Sequence, residues 1–388
     1  MSATKRTRSL HFTGAMLIGA VAFLPAGGGP LSAATTTPVF VTDRAITPPE
    51  GHGVTLAIGT GDNLYVLLAD CACVQKFDAN LAPLAFNGAG KGVGTGIAVY
   101  RGGVGNTNPL NDKVIVADRL NDHINVLDAF GNLIFQFGTT GDSKGQFHGT
   151  ITAIDVDQVT GKIYVLDGLG YARVQKFDLN GNFERMWGWG VKTGAPQFEL
   201  CLATDAVCFP GLTGSGPGQL NLFQSVGGIA TDGTNVYVSN SENFRIDKFD
   251  ANGSYLATWG SAGPGDGQCA DILGCLGIRH SNGLLYVADS HPNHRIQIFN
   301  TSGVFHGKWG DNSVFLQPED IVIASTGAEF VSDFFPAGFG RLSKWTAADN
   351  RHPTNKDQCK NGGYAADVDE NGVPFRNQGQ CVSYVNHH

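Results

Sequence analysis

Charge is scarce in this chain: only 15% of its 388 residues are Asp, Glu, Lys or Arg. That argues against a long helical array or a charged disordered polymer. After residue 33 no apolar run approaches the length needed to span a bilayer, so no transmembrane segment is expected in the mature chain. Positive charge is in the minority as well, 26 Lys and Arg against 34 Asp and Glu, a formal balance of −8. Nucleic acid and anionic membranes are therefore poor partners. No G-x-S-x-G, H-E-x-x-H or phosphate-cradling loop stands in a strand-to-helix context. Glycine-dense strings such as Gly214-Ser215-Gly216-Pro217-Gly218 have no helix after them and read as turns.

What the chain has in quantity is glycine, 54 residues, punctuating short apolar runs. Residues 228–260 set the pattern: Gly228 to Ala230, Val236 to Val238, Ile246 to Phe249 and Tyr255 to Trp259, separated by Asp-Gly, Ser-Glu-Asn and Ala-Asn-Gly. Four short strands joined by such turns make an antiparallel meander. The second-strand anchor recurs as Tyr65, Ile115, Tyr164, Tyr237, Tyr286 and Phe330, at intervals of 50, 49, 73, 49 and 44 residues. Six copies at that period predict an all-β fold, a six-bladed β-propeller of four-stranded antiparallel blades. The long interval holds a Gly- and Pro-rich insertion, 191–225, expected as a loop projecting from the third blade. The sixth copy has no fourth strand, and Pro38 to Val41 precede the first copy unassigned. An N-terminal strand that completes the last blade and closes the ring is the expected solution. Aromatic-Gly pairs ending the fourth strands, from Phe137-Gly138 to Trp309-Gly310, are expected to pack between blades.

Residues 1–33 read as a signal peptide, with Lys5, Arg6 and Arg8, an apolar stretch from Ala15 to Leu24, and Leu31-Ser32-Ala33 at the cleavage site; a retained anchor is the alternative. Cleavage near Ala33 would leave a secreted or periplasmic chain with a formal charge of −11. The eight cysteines all follow it, which favours disulfides. Local spacing suggests Cys201 with Cys208, Cys269 with Cys275 and Cys359 with Cys381, out of on the order of a hundred possible pairings. Cys71 and Cys73 would share one face of a regular strand, which disfavours a bond between them. Domain organisation follows: 1–33 leader, 34–350 propeller, 351–388 a polar two-cysteine tail.

In five copies a polar position ends the second strand and a basic one opens the third: Asp118 with His123, Asp167 with Arg173, Asn240 with Arg245, Asp289 with Arg295, and Asp333 with Arg341. These are expected chiefly as structural turn pairs, each holding its own hairpin, rather than as a ligand-binding ring. The first copy has lost both partners, carrying Leu68 and Cys73.

The segments Leu284 to Gly303 and Val114 to Gly131 resemble the NHL repeat, whose Asn-His-Leu-like turn appears as Asn293-His294-Arg295-Ile296 and Asn121-Asp122-His123-Ile124. The resemblance covers residues 54 to about 349 and implies an exported bacterial NHL-type propeller; the tail resembles two-cysteine tails of exported bacterial proteins. Among relatives that the resemblance implies, peptidyl-hydroxyglycine lyases use zinc on the propeller axis and gluconolactonase-like propellers use calcium. Zinc would need about three converging imidazoles. His148 and His280 are the axial candidates, with Glu319 and Asp320 as candidate oxygen ligands for calcium. In the tail, Asp367, Asp369 and Asn371 match the first half of a D-x-[DN]-x-[DN]-G calcium loop, but Gln378 stands where the bidentate Glu belongs. No cofactor is assigned; calcium and zinc are the two to test. The leading expectation is a non-enzymatic binding or scaffold module for an extracellular protein, peptide or glycan. Its specificity is placed on 191–225 and the loop 261–276. The rival is a metal-dependent lyase or lactonase.

Overall fold

A computed structural model describes residues 38–46, 54–346 apart from short gaps at 69–70, 92–93, 95, 149–150, 169, 223–226 and 336–338, and 382–383. The leader, Cys359, Cys381, Asp367, Asp369 and Asn371 lie outside the described residues. Among the described residues no helix is long and apolar enough to cross a membrane.

The chain is a six-bladed propeller. Strand β1 (Val39–Ile46) comes first. Blade 1 follows with β2 (Val54–Ile58), β3 (Leu64–Leu68), β4 (Cys73–Phe77) and the two-residue β5 (Pro83–Leu84). Blade 2 has β6 (Ile97–Tyr100), β7 (Lys113–Asp118), β8 (His123–Leu127) and β9 (Leu133–Phe137). A small parallel pair, β10 (Thr139–Thr140) and β11 (Gln146–Phe147), links it to blade 3. Blade 3 has β12 (Ile151–Val156), β13 (Ile163–Asp167), β14 (Arg173–Phe177), β15 (Phe183–Trp189) and a fifth strand, β16 (Phe198–Leu202). Blade 4 comprises β17 (Ile229–Thr231), β18 (Asn235–Asn240), β19 (Arg245–Asp250) and β20 (Tyr255–Trp259). Blade 5 comprises β21 (Cys275–Ser281), β22 (Leu284–Asp289), β23 (Arg295–Asn300) and β24 (Phe305–Trp309). Blade 6 takes β25 (Pro318–Ile323), β26 (Glu329–Phe335) and β27 (Phe339–Thr346), then borrows β1 as its outer strand. β1 runs antiparallel to β27 from Val39 opposite Thr346 to Ile46 opposite Gly340. It is longer than its apolar start at Pro38 to Val41 suggests, because an outer edge strand needs only one covered face and tolerates Thr42, Asp43 and Arg44.

Repeated side chains explain the ring. Tyr65, Tyr164 and Tyr237 are fully buried anchors, and a Lys from the neighbouring third strand covers each ring: Lys76, Lys176 and Lys248, with Nζ 4.9–5.5 Å from the centroid. Each ammonium then donates to the outer turn of the next blade, at Ala129 O (3.2 Å), Ala251 O (2.8 Å) and Thr301 O (2.9 Å). Those outer turns begin with Asp78, Asp128, Asp178, Asp250 or Asn300, whose Oδ1 accepts the N–H groups two and four residues on. All but the first, where Leu81 takes φ 62°, close on a glycine of positive φ: Gly181, Gly253 and Gly303 lie flat against Phe137, Trp187 and Trp259 of the preceding blade, where a Cβ would come within 2.6 Å of ring carbons. Fourth-strand aromatics and turn glycines are thus two halves of one inter-blade contact, and each buried ring contributes about 1.5–3 kcal/mol.

The insertion is not a projecting loop. Residues Phe198–Leu202 add β16 antiparallel to β15, with Met186 opposite Cys201 and Trp187 opposite Leu200. Phe198 stacks on Phe249 of blade 4 at 6.0 Å and approaches Tyr255. Phe198 and Leu200 give the segment an apolar face half-buried against blade 4, and covering it outweighs exposing it on a loop, while Leu202 at the strand's end is exposed. Disulfides join Cys201 to Cys208 and Cys269 to Cys275. A third joins Cys71 to Cys73. The regular-strand argument against that bond does not apply, because β4 starts at Cys73, while Cys71 lies in a turn with Ala72 at φ 51°.

Candidate functional site at one end of the axis

The repeated charged positions are occupied by the scaffold. Arg173 Nε donates to Asp167 at 2.9 Å, and its other nitrogens reach Asp142 O, Phe209 O and Gln146 O. Arg295 does the same with Asp289 (2.7 Å), Pro264 O, Gly265 O and Gln268 O. Each guanidinium therefore clamps the glycine-rich linker that enters its own blade. In those linkers Gln146, Gln219 and Gln268 also accept from Ser143, Gly216 and Gly265 N–H through Oε1. Blade 6 keeps the pair, Arg341 to Asp333 at 2.9 Å, and blade 2 a looser one, His123 Nε2 to Asp118 at 3.5 Å.

Blade 4 departs from the expected pairing. Arg245 bonds not to Asn240 but to Asp247, at 3.1 Å, and Asn240 Nδ2 donates to that same Asp247 at 2.6 Å. Where blades 3 and 5 have Asp and Gln (Asp167 with Gln175, Asp289 with Gln297), blade 4 has Asn240 and Asp247. The carboxylate has moved across the sheet, and the guanidinium keeps one carboxylate partner beside the linker carbonyls of Ser215, Gly216 and Gln219.

The metal candidates are not brought together. His148 is exposed ahead of the start of inner strand β12, with Nδ1 2.7 Å from Tyr171 Oη and 3.4 Å from Asp142. His280 stands near the end of inner strand β21, so the two occupy opposite ends of the ring. Asp320 is buried and fully engaged: it accepts from Leu56 N (2.9 Å), Ile321 N (2.9 Å) and Arg279 Nη2 (2.7 Å). Gly277 passes so close to it that a Cβ would lie 2.4 Å from Oδ1. Glu319, beside it, is half-buried. Among the described residues no three His, Cys, Asp or Glu side chains gather as a metal site.

What does gather is a cavity of about 470 Å³ on the axis where the inner strands end. Each second-strand anchor faces one inner-strand residue: Tyr65 faces Ala57, Ile115 faces Ala98, Tyr164 faces Asp155, Tyr237 faces Ala230, Tyr286 faces Arg279 and Phe330 faces Val322. Four of these six are small and apolar; the other two carry opposite charges, and both line the cavity. Arg279 is braced by Ile278 O (3.0 Å), Leu56 O (2.8 Å) and Asp320, which ties blade 5 to blades 1 and 6. Asp155 accepts from Thr231 N at 2.8 Å. The enclosed site pushes its carboxyl up to about 6, against the opposing pull of Arg279, Thr231 N–H and Arg101. Burial also pushes His280 below the ordinary imidazole range, with Asp232 opposing. None of Arg101, Asp155 or Arg279 was among the candidates drawn from the sequence.

No family model matches the chain, and no curated protein matches it. Solved structures of similar architecture include a gluconolactonase from Xanthomonas campestris, 13% identical, with 82% of this chain covering 99% of that one at a TM-score of 0.47. A virginiamycin B lyase from Staphylococcus aureus is 10% identical, covering 79% of this chain and 88% of that one, TM-score 0.46. A chain of a nidogen/laminin complex is 12% identical, covering 70% and 84%, TM-score 0.47.

Proposed function

We propose that this chain is an exported NHL-type propeller acting as a binding module for an extracellular protein, peptide or glycan. One observation carries the reading: the charges copied from blade to blade are occupied by their own hairpins and linkers, whereas Asp155 and Arg279, copied nowhere else, face the axial cavity. A scaffold needs the former; the latter are what a recognition site adds to it. Three disulfides support an oxidising compartment. The Cys201–Cys208 staple beside β16 and the Cys269–Cys275 staple at the linker 261–276 are further features that the other described linkers do not carry.

The purified chain, used as bait against extracellular proteins, peptides and glycans, is expected to retain a ligand. Replacing residues 203–213, beyond β16, with a short Gly-Ser turn should weaken retention. Metal analysis of the same preparation separates the rival: a stoichiometric zinc or calcium lost on replacing His148, His280 or Glu319 would favour a metal-dependent lyase or lactonase and overturn the binding reading.

A further inference from the structure

The axial cavity has a chemistry that narrows its occupant, and the inference rests on the reading that this site binds a ligand. Two guanidiniums line it, Arg101 and Arg279. Arg279 is already paired with Asp320 at 2.7 Å. Arg101 makes no side-chain hydrogen bond or ion pair among the described residues; its backbone N–H donates to Gln158 Oε1 at 2.9 Å and its carbonyl accepts from Asn106 Nδ2 at 2.6 Å. Of the carboxylates at the rim, Asp157 is engaged by Val159 N–H and Thr160 of its own turn. Asp232 is engaged by Thr234 N–H, Asn235 N–H and the Tyr237 hydroxyl. Asp155 accepts backbone N–H groups and forms no ion pair among the described residues. The cavity therefore holds one guanidinium without an ion-pair partner among the described residues, Arg101, and on the adjacent blade the Asp155 carboxylate, held by backbone N–H groups alone.

Other occupants fit less well. A divalent cation would find the oxygens of Asp157 and Asp232 taken up by their own turns and Asp155 already accepting Thr231 N–H. An inorganic anion would meet Asp155 beside Arg101 and a second guanidinium already neutralised. No Phe, Tyr or Trp lines the cavity, and the His280 imidazole is the one ring in its lining, so a sugar ring or base finds no pair of faces to stack between. Small apolar walls at Ala57, Ala98 and Val322 leave room for a short side chain. Asp155, Asp157 and Asp232 line the cavity against Arg101 and Arg279, which disfavours a net anion, while the free Arg101 guanidinium beside Asp155 favours a ligand that carries both signs.

We propose that this cavity binds a small zwitterion, an α-amino acid or dipeptide, with its carboxylate on the Arg101 guanidinium and its ammonium on the Asp155 carboxylate. Titration calorimetry of the purified full chain with free amino acids and dipeptides tests it, beside their N-acetylated and C-amidated forms and glucose. The free zwitterions should bind at millimolar concentrations or below. Either blocked form should bind about tenfold more weakly or worse, and Arg101→Gln and Asp155→Asn should each do the same, as expected for losing one charge-assisted contact. Arg101→Gln alters a half-buried side chain with no protein partner, so its melting temperature should stay at the wild-type value and keep the test valid if Asp155→Asn folds poorly. No heat with any zwitterion, equal affinity for blocked forms, or affinity unchanged in Arg101→Gln overturns the proposal. Retained macromolecular ligand with no zwitterion binding would sink this inference alone. Zwitterion binding with no macromolecular ligand would support it and restrict the wider function to the cavity.

Discussion

Glu329 opens β26 at 6% exposure, next to Trp309 and Tyr286, and its Oε2 has no hydrogen-bond partner. Burial pushes its carboxyl from an ordinary 4.5 up to about 8, with only the Trp309 indole opposing. Because the folded state holds the proton more tightly than the unfolded state, stability is greatest below the unfolded value. It falls as pH rises from about 4.5 towards about 8, and is level beyond. At about 1.4 kcal/mol per pH unit, holding the ionised carboxylate in the fold costs about 5 kcal/mol at the alkaline limit. Between about pH 5.5 and 8.5 the difference is about 3 kcal/mol, or about 3–6 °C in melting temperature for a domain of this size. Glu329→Gln preserves the shape and removes the charge. Melting curves of wild type and Glu329→Gln should therefore converge at the acid end and separate at the alkaline end, with the variant the more stable. Other groups titrate in the same window, Asp155 among them, and the paired comparison removes their contribution. If the variant tracks the wild type across the range, the carboxylate is not held ionised at a cost and the reasoning fails.

Two further outcomes follow from the blades. Asp247→Asn should destabilise the chain by about 1–3 kcal/mol, because it leaves half-buried Arg245 with backbone carbonyls but no carboxylate; urea unfolding of Asn240→Asp with Asp247→Gln, which installs the arrangement of blades 3 and 5, should recover most of that loss. Gly253→Ala forces a side chain into φ 91° and against Trp187, so it should cost at least about 1–3 kcal/mol, with a red-shifted Trp emission; an unchanged melting temperature would show that the turn can move away.

How far the chain can be read without its structure depends on which features repeat. Anchors such as Tyr164 and Tyr237, the Asp-x-x-Gly outer turns and the aromatic-Gly strand ends recur at one spacing, so six blades are visible as a pattern. The strand β16 was legible in the alternation of Phe198, Leu200 and Leu202, though glycine and proline around it pointed to a loop. Arg245 stood at the expected place, but its partner did not, because the carboxylate is two residues on, at Asp247, instead of across the turn.

The sequence by itself determined the blade: local alternation, turn chemistry and the 44–50-residue period are short-range properties that each copy carries within itself. The cavity was decided only by the tertiary structure. The residue facing each anchor lies 8 residues before Tyr65 but 17 before Ile115, since the first loop of each blade varies in length. Only strand register shows that Asp155 and Arg279 occupy equivalent places where other blades have Ala or Val. Closing the ring through β1 then sets those two on one axis, a juxtaposition of residues far apart in the chain that no local pattern encodes.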